Sequence, residues 1–408
     1  MNQANAAADV LIVGAGPAGL SAAITCAEHG LDVLVLDEYV KPGGRLLGQL
    51  HQEPDGTWWN GIAEADRLLQ RAVSLGVRIA CGVSVYQVER SGEAWLAATT
   101  NGEVQSPILL LATGATETAI PLPGWTLPGV MSIGAAQVMT NVQRVRVGER
   151  GVVIGLNILS MAITRELQLA GIDVACMVLP AMSPVNRAAG HPRQVMDSLV
   201  RAAHLAPSPL LKWGGRCLTT DWLKRLAVRF YPKRGVPIWG IPVQLRTAAS
   251  EIIGREKVEG VRLVEIDPNG QPLPGSERDV AVDFVCIAGG LAPLAELAAV
   301  AGCPFAYLPA LGGHVPLHNE KMQTPLQGLY VAGNITGIES AKVAMAQGRV
   351  AALAISAELG RLPEPDKLRQ AMRHVQEIRR QALIQFHPQI EQGRSAVVQL
   401  FAQHLAAR

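Results

Sequence analysis

Short apolar runs ending in glycine alternate with longer stretches of helical period along this chain, the pattern of parallel strands buried on both faces and joined by helices. Asp9-Val10-Leu11-Ile12-Val13 runs straight into Gly14-Ala15-Gly16-Pro17-Ala18-Gly19, and the next run, Val33-Leu34-Val35-Leu36, closes on Asp37. Ile108 to Leu111 leads into Ala112-Thr113-Gly114-Ala115, and Pro121, Pro123, Pro128 and Gly129 then mark a crossing. Gly151-Val152-Val153-Ile154-Gly155 precedes a helical stretch from Ile158 to Ala170 and a strand from Asp173 to Leu179. Val282 to Ala288 runs into Gly289-Gly290. Leu329 to Asn334 is followed by a helix from Ser340 to Glu358, with Gly360 where it should stop. Pro363 to Arg408 reads as a helical, amphipathic tail. The order predicts an α/β fold of two Rossmann-like domains. Residues 1–115 and 290–360 make one discontinuous domain, residues 116–289 the second, and 361–408 a helical C-terminal segment.

The first unit carries a complete dinucleotide-binding pattern. Gly14 permits the tight strand-to-helix turn, Gly16 lets backbone approach a pyrophosphate, and Gly19 allows close packing of helix on strand. The helix N-terminus then offers free N–H groups and a partial positive charge to the phosphates. Asp37 lies eighteen residues beyond Gly19, near the offset of about 20 expected for a carboxylate that binds a ribose hydroxyl. The loop Lys41-Pro42-Gly43-Gly44-Arg45 is either an ordinary turn or a place where backbone comes close to a cofactor.

The second unit has the order of a Rossmann repeat with a damaged fingerprint. Asn157 stands in Gly155-Leu156-Asn157-Ile158-Leu159-Ser160 where pyrophosphate must approach, and a Cβ there crowds the ligand. The next strand ends Met177-Val178-Leu179-Pro180, with neither an acid for a ribose hydroxyl nor an arginine for a 2′-phosphate. Lost nicotinamide binding is the leading reading, and a degenerate but working site the alternative. Between Pro184 and Pro242 a segment rich in arginine, lysine and tryptophan looks like an insertion. It reads either as a protein interface or as a solvated basic helix with scattered core tryptophans.

Composition narrows the class. The 408 residues are 49% apolar and 17% charged with 41 glycines, as a glycine-punctuated α/β enzyme requires. A net charge of +2 offers no basic surface on which to propose nucleic acid or an anionic membrane. The polar start, Met1 to Asp9, lacks a secretion signal, so a cytoplasmic location is expected, with membrane association only through a partner. The apolar window Phe284 to Leu311 is broken by glycine and proline and reads as buried strand and packed helix rather than a membrane span. Cys26, Cys81, Cys176, Cys217, Cys286 and Cys303 form no CxxC pair or cluster spacing, so no redox dithiol, zinc site or Fe–S cluster is expected within this chain.

Taken together, GAGPAG, PGGR, ATGA, the damaged second fingerprint and TPLQGLYVAGN resemble the two-dinucleotide-binding-domain flavoproteins, the group that includes thioredoxin reductase and glutathione reductase. The resemblance spans residues from about 9 to 360. Within that group the pattern is most similar to the α subunits of dye-linked amino-acid dehydrogenases, such as the opine oxidase A subunit, the hydrogen cyanide synthase B subunit and the D-hydroxyproline and L-proline dehydrogenase α subunits. The resemblance implies FAD in the first domain. It sets Gly14, Gly16, Pro17, Ala18 and Gly19 on the pyrophosphate, Asp37 or Glu38 on the adenosine ribose, and Gly44 and Arg45 near the flavin end. Val85 and Ala112-Thr113-Gly114 belong to the same cofactor set, as does Gly333-Asn334, where the group usually has Gly-Asp. An amide there still hydrogen-bonds but brings no charge.

The same resemblance implies partners. Several of these α subunits carry a cysteine-rich Fe–S domain that is missing after Arg361, so a small [2Fe–2S] ferredoxin-like protein would supply the cluster as a separate subunit. Substrate oxidation would fall to a β subunit resembling D-amino-acid oxidase, with an FMN at an interface as a further possible cofactor. The expected function is that of an FAD-bearing subunit of a heteromeric amino-acid or opine dehydrogenase, relaying electrons to a cluster, quinone or dye. A self-contained NAD(P)H-dependent flavin reductase and a scaffold with structural FAD are the alternatives. The sequence names no catalytic acid or base. His51, His314 and His318 are read in loops near the cofactor segments, where a lone histidine is more often structural.

Overall fold

In the computed structural model, residues 6–53, 56–205, 208–218, 220–362 and 364–407 are described, so Met1 and Arg408, as well as Pro363 at the head of the expected tail, lie outside the described residues. The chain divides into two units, Met1–Gln49 with Asn60–Thr116 and Leu291–Arg408, and Leu50–Trp59 with Glu117–Gly290.

The first unit is built on a five-stranded parallel sheet in the order Leu329–Val331, Ile108–Leu111, Val10–Val13, Val33–Asp37, Arg78–Cys81. Leu11 pairs with both Leu109 and Leu34, so the apolar runs seen in the sequence lie side by side in the middle of the sheet. They are buried on both faces, which is why they show no alternation. The helices Pro17–Glu28 and Ala341–Glu358 pack against each other through small residues. A Cβ on Gly348 would stand 2.1 Å from the Ala18 carbonyl oxygen. A second, four-stranded sheet sets Ala6–Ala7 beside the meander Val85–Ser91, Ala94–Thr99 and Gly102–Ser106, around Trp95.

The second unit repeats the Rossmann order. Its sheet runs Val130–Ser132, Phe284–Ile287, Arg150–Ile154, Asp173–Pro180, Ile241–Ile253, Gly260–Glu265, Arg278–Ala281, parallel as far as Ile241–Ile253 and antiparallel beyond it. Among the described residues from 184 to 242 are the α-helices Pro192–Ala202, Pro209–Cys217 and Asp221–Arg229, of which Val195, Met196 and Val228 join the core. Trp222, Leu226 and Phe230, spaced at successive turns, are 62%, 47% and 73% exposed beside exposed Arg225 and Arg229.

Several sequence expectations change. Leu50–Trp59 clusters with the second unit although its sequence neighbours belong to the first. The tail is two helices, Pro365–Gln381 and Ile390–Ala406, the first ending where Ala382 takes extended backbone, with Pro388 in the connection. Both helices belong to the first unit, and Val397 and Phe401 pack on Leu311, Val315 and Leu317. His51 and His314 lie in strands, Leu50–Gln52 and Gly313–Pro316, rather than in loops. The window from Phe284 resolves into the strand Phe284–Ile287 and the short helix Glu296–Val300. Among the described residues no helix is long and apolar enough to cross a membrane.

Candidate functional site

The site of the first unit is assembled where three neighbouring strands end and the helix Pro17–Glu28 begins. Gly14 has φ +106°, and its amide donates to the Leu36 carbonyl at 2.7 Å. A Cβ on it would stand 2.4 Å from the Ala112 oxygen, so the turn excludes any side chain. A Cβ on Gly19 would lie 1.9 Å from the Gly14 oxygen, the contact that lets the helix sit close on its strand. Gly16 differs from both. It has ordinary extended backbone with φ −75° and caps the helix without a side-chain bond, and a Cβ built on it meets nothing within 4 Å. Pro17 fills the first helical position, where its missing N–H costs nothing. An open space in front of an uncapped helix N-terminus is the geometry that accepts a pyrophosphate.

Other segments close around this cradle. The Gly43 amide donates to the Ala15 carbonyl at 2.8 Å, and Gly44 comes so near that a Cβ would stand 3.0 Å from Gly16 Cα. The loop Lys41 to Arg45 therefore folds back on the glycine turn. Arg45 donates from Nη2 to the Ala115 carbonyl at 2.9 Å, tying the PGGR loop to the ATGA segment. There Ala112 N–H donates to Val13 O at 2.8 Å and Thr113 Oγ1 to Leu294 O at 2.5 Å. Gly114 takes φ +84°. From the other side comes Gly333, with φ +81° and room for no more than 2.8 Å between a Cβ and that of Ala18. Asn334 uses its side-chain oxygen to accept from Glu339 N–H at 3.2 Å.

Asp37 does something the sequence reading did not foresee. Its Oδ2 accepts from Ala15 N–H at 2.6 Å and its Oδ1 from Tyr39 N–H at 2.8 Å, so the carboxylate braces the glycine turn itself. Burial raises its pKa above the usual carboxylate value, and the two amide bonds oppose that shift. A carboxylate has about four lone-pair sites, so acceptor capacity remains for a ribose hydroxyl. Glu38 is exposed, and it is Asp37 that bonds the turn. Val85 is half-buried at the head of its strand, and the neighbouring Val83 N–H donates to the Asp37 carbonyl at 3.0 Å. Gln347 is a participant that sequence reasoning missed. Its Oε1 accepts from Gly333 N–H at 2.9 Å, and the available signal was a lone amide in a helix of small apolar residues.

The second unit keeps the first glycine and loses the cradle. Gly155 has φ +111°, with a Cβ position 2.3 Å from the Ala288 oxygen, matching Gly14 against Ala112. Asn157, however, caps the helix Ile158–Leu169. Its Oδ1 accepts from Ser160 N–H at 2.9 Å, its own N–H donates to Ser160 Oγ at 3.0 Å, and its Nδ2 donates to Ala288 O at 3.0 Å. The amides of Asn157 and Ser160 are thereby bonded inside the protein. The strand alongside ends at Pro180, so no carboxylate occupies the place that Asp37 holds in the first unit.

Two further groups bear on chemistry. Glu166 is buried and accepts from Gln137 Nε2 at 2.8 Å, Asn141 Nδ2 at 2.6 Å and Leu50 N–H at 3.3 Å, and burial pushes its pKa up to about 7 against those bonds. Burial likewise raises the Cys26 and Cys303 thiols to about 12 and Cys176 to about 11, so these cysteines are poor nucleophiles. Among the described residues no three His, Cys, Asp or Glu side chains are grouped to hold a metal ion. Of the histidines, His51 stacks on Trp59, His314 packs on Tyr307, and His318 is buried against the Pro316 carbonyl.

The chain is similar to several known proteins. The profile of the family described as pyridine nucleotide-disulphide oxidoreductase matches residues 8–187. The opine oxidase A subunit of Agrobacterium tumefaciens (strain Ach5) is 30% identical over 363 residues, 86% of this chain and 66% of the relative. Hydrogen cyanide synthase subunit HcnB of Pseudomonas aeruginosa is 27% identical over 358 residues, 85% of this chain and 70% of the relative. The chain spans 66%, 72% and 63% of the length of three opine oxidase A subunits that it matches. L-proline dehydrogenase from P. horikoshii has the same fold, with a TM-score of 0.65 at 20% identity over 91% of this chain and 59% of that one.

Proposed function

We propose that this chain, which belongs to the two-dinucleotide-binding-domain FAD flavoproteins and is a homologue of the opine oxidase A subunit and of HcnB, is the FAD-bearing subunit of a heteromeric dehydrogenase that oxidises C–N bonds of amino acids or opines. The observation that carries this reading is the contrast between the two helix N-termini. One is open at Gly16 with no side-chain cap, and the other is closed by the Asn157–Ser160 capping box. A chain that holds FAD but no nicotinamide must receive its electrons from elsewhere, as a relay subunit does.

The chain's residues have separable tasks in this scheme. Gly16 and the first turn of Pro17–Glu28 receive the pyrophosphate, while Gly14, Gly19 and Asp37 hold that turn rigid. Gly43-Gly44 and Gly333 bring backbone close, and Gln347 fixes the Gly333 amide. Bound there, FAD would supply a carrier that takes up and passes on two electrons. Partners are an amine-oxidising flavoprotein subunit resembling D-amino-acid oxidase and a small [2Fe–2S] protein, with an FMN between subunits as an additional carrier. The exposed stripe Trp222, Leu226, Phe230 beside Arg225 and Arg229 has the aromatic and arginine content of a protein interface and favours that face for a partner.

The test is the anaerobic absorbance spectrum of the purified chain before and after adding NADH or NADPH. A bound flavin that ignores both, and turns over substrate only when partner subunits are added, is the expected result. Prompt bleaching by either nucleotide would instead make this chain a self-contained reductase.

A further inference from the structure

Behind the Gly333–Gly337 turn two arginines from the C-terminal helices meet Glu339 in a buried polar cluster. Arg379 Nε donates to Glu339 Oε1 at 2.5 Å and its Nη2 to Oε2 at 3.0 Å. Arg394 donates from Nη2 to the same carboxylate, and from Nη1 to the Thr336 carbonyl at 2.7 Å and to Thr336 Oγ1 at 2.9 Å. Glu339, Arg379 and Arg394 are 8%, 4% and 8% exposed. The cluster reaches the turn twice more, through Glu339 N–H to Asn334 Oδ1 and through Gln347, whose Nε2 donates to Glu339 at 3.4 Å while its Oε1 takes the Gly333 amide.

Its charges do not balance. The groups acting on Arg394 are Glu339 and Arg379, and those acting on Glu339 are the same two arginines. His318 beside them is pushed down to about 4, chiefly by burial, and adds no charge at neutral pH. Guanidinium groups stay protonated in proteins, so two cations face one carboxylate and one positive charge is left over. Arg394 Nε, fully enclosed, has no hydrogen-bond partner among the described residues. Such an arrangement is costly to bury and is weak evidence of a purely stabilising role.

We propose that this net positive cluster tunes the flavin, raising the reduction potential of FAD held on the Gly333–Gly337 turn. The inference rests on the FAD reading above. Uptake of two electrons with one proton leaves a flavin one charge more negative, and a nearby cation in a weakly screened interior favours that product. The C-terminal helices thereby act on the electron carrier, Arg394 touching the turn directly at Thr336 and Gly337 and Arg379 reaching it through Glu339, both as positioning residues.

The experiment uses the full FAD-loaded chain, reduced anaerobically with xanthine and xanthine oxidase in the presence of a reference dye. Arg394→Met removes the excess charge, and the reduced-to-oxidised flavin ratio at fixed dye potential should fall about tenfold, about 30 mV for a two-electron couple. Glu339→Gln adds to the excess and should move the ratio the other way by a similar factor. Arg394→Lys keeps the charge and should leave the ratio near wild type. A structural role alone would lower the unfolding midpoint in these variants without opposite shifts in potential. With FAD bound, ratios that stay unmoved or shift in the same direction overturn the inference. Should Arg394→Met not fold, Glu339→Gln decides, and an unmoved ratio there overturns it as well. If the wild-type chain binds no FAD, the cofactor reading itself falls, and this inference with it.

Discussion

Replacing Gly16 by valine separates cofactor binding from folding. At Gly16 the backbone has φ −75° and ψ −173°, which any residue adopts, and a Cβ would meet nothing within 4 Å. Two small effects on stability oppose each other. Loss of glycine flexibility in the unfolded chain contributes about 0.4–1 kcal/mol, and the poorer helix cap costs a similar amount. The net change should stay within about 1 kcal/mol, about 2–4 °C in Tm for a unit of this size. The branched side chain nevertheless fills the space in front of the helix amides. FAD affinity should fall about hundredfold or more, about 2.7 kcal/mol. Thermal unfolding of the apo-protein and titration with FAD by fluorescence quenching measure the two quantities separately. Gly14→Ala is the contrasting control, because φ +106° and the 2.4 Å approach to Ala112 O make it destabilising whether or not FAD is present. A Gly16→Val protein that binds FAD with wild-type affinity would refute the placement of the pyrophosphate.

Asn157→Ala dismantles the capping box of the second unit and should cost about 1 kcal/mol in denaturant unfolding while leaving flavin content unchanged. Gln347→Leu leaves the buried Gly333 amide without its acceptor, an expected loss of about 1–3 kcal/mol accompanied by weaker FAD retention on gel filtration. For Glu166 the folded pKa of about 7 lies above the unfolded value of about 4.5. Its contribution is therefore fully present below pH 4.5 and is lost as pH rises towards about 7, by up to about 3 kcal/mol. Glu166→Gln should flatten that part of the stability profile between about pH 5 and 8, and a variant whose pH profile matches wild type would show that Glu166 stays ionised.

The two Rossmann units and the difference between them were legible in the amino-acid order alone. Their signals are local, since a buried parallel strand must be continuously apolar, a tight turn with positive φ must be glycine, and a side chain where the fingerprint wants glycine marks a changed site. Gly14 could be read as the turn residue, Gly16 and Gly19 as points of close approach and close helix packing, and Asn157 as a departure from that pattern. That Asn157 caps the helix through Ser160 was decided by the structure. Which distant groups complete the site was a matter of packing. Asp37 braces Ala15 because parallel pairing sets the end of one strand beside the start of its neighbour's helix. Gln347, Glu339, Arg379 and Arg394 meet at the Gly333 turn from three helices and a loop, and polar residues spaced tens of positions apart carry no periodicity that announces a shared, dry environment. Glu166 reads in sequence as one more helix-surface acid. It is buried because Leu50 and the helix Ile133–Asn141 cover it, and burial, which raises its pKa to about 7, is a property of the packed unit rather than of any segment alone.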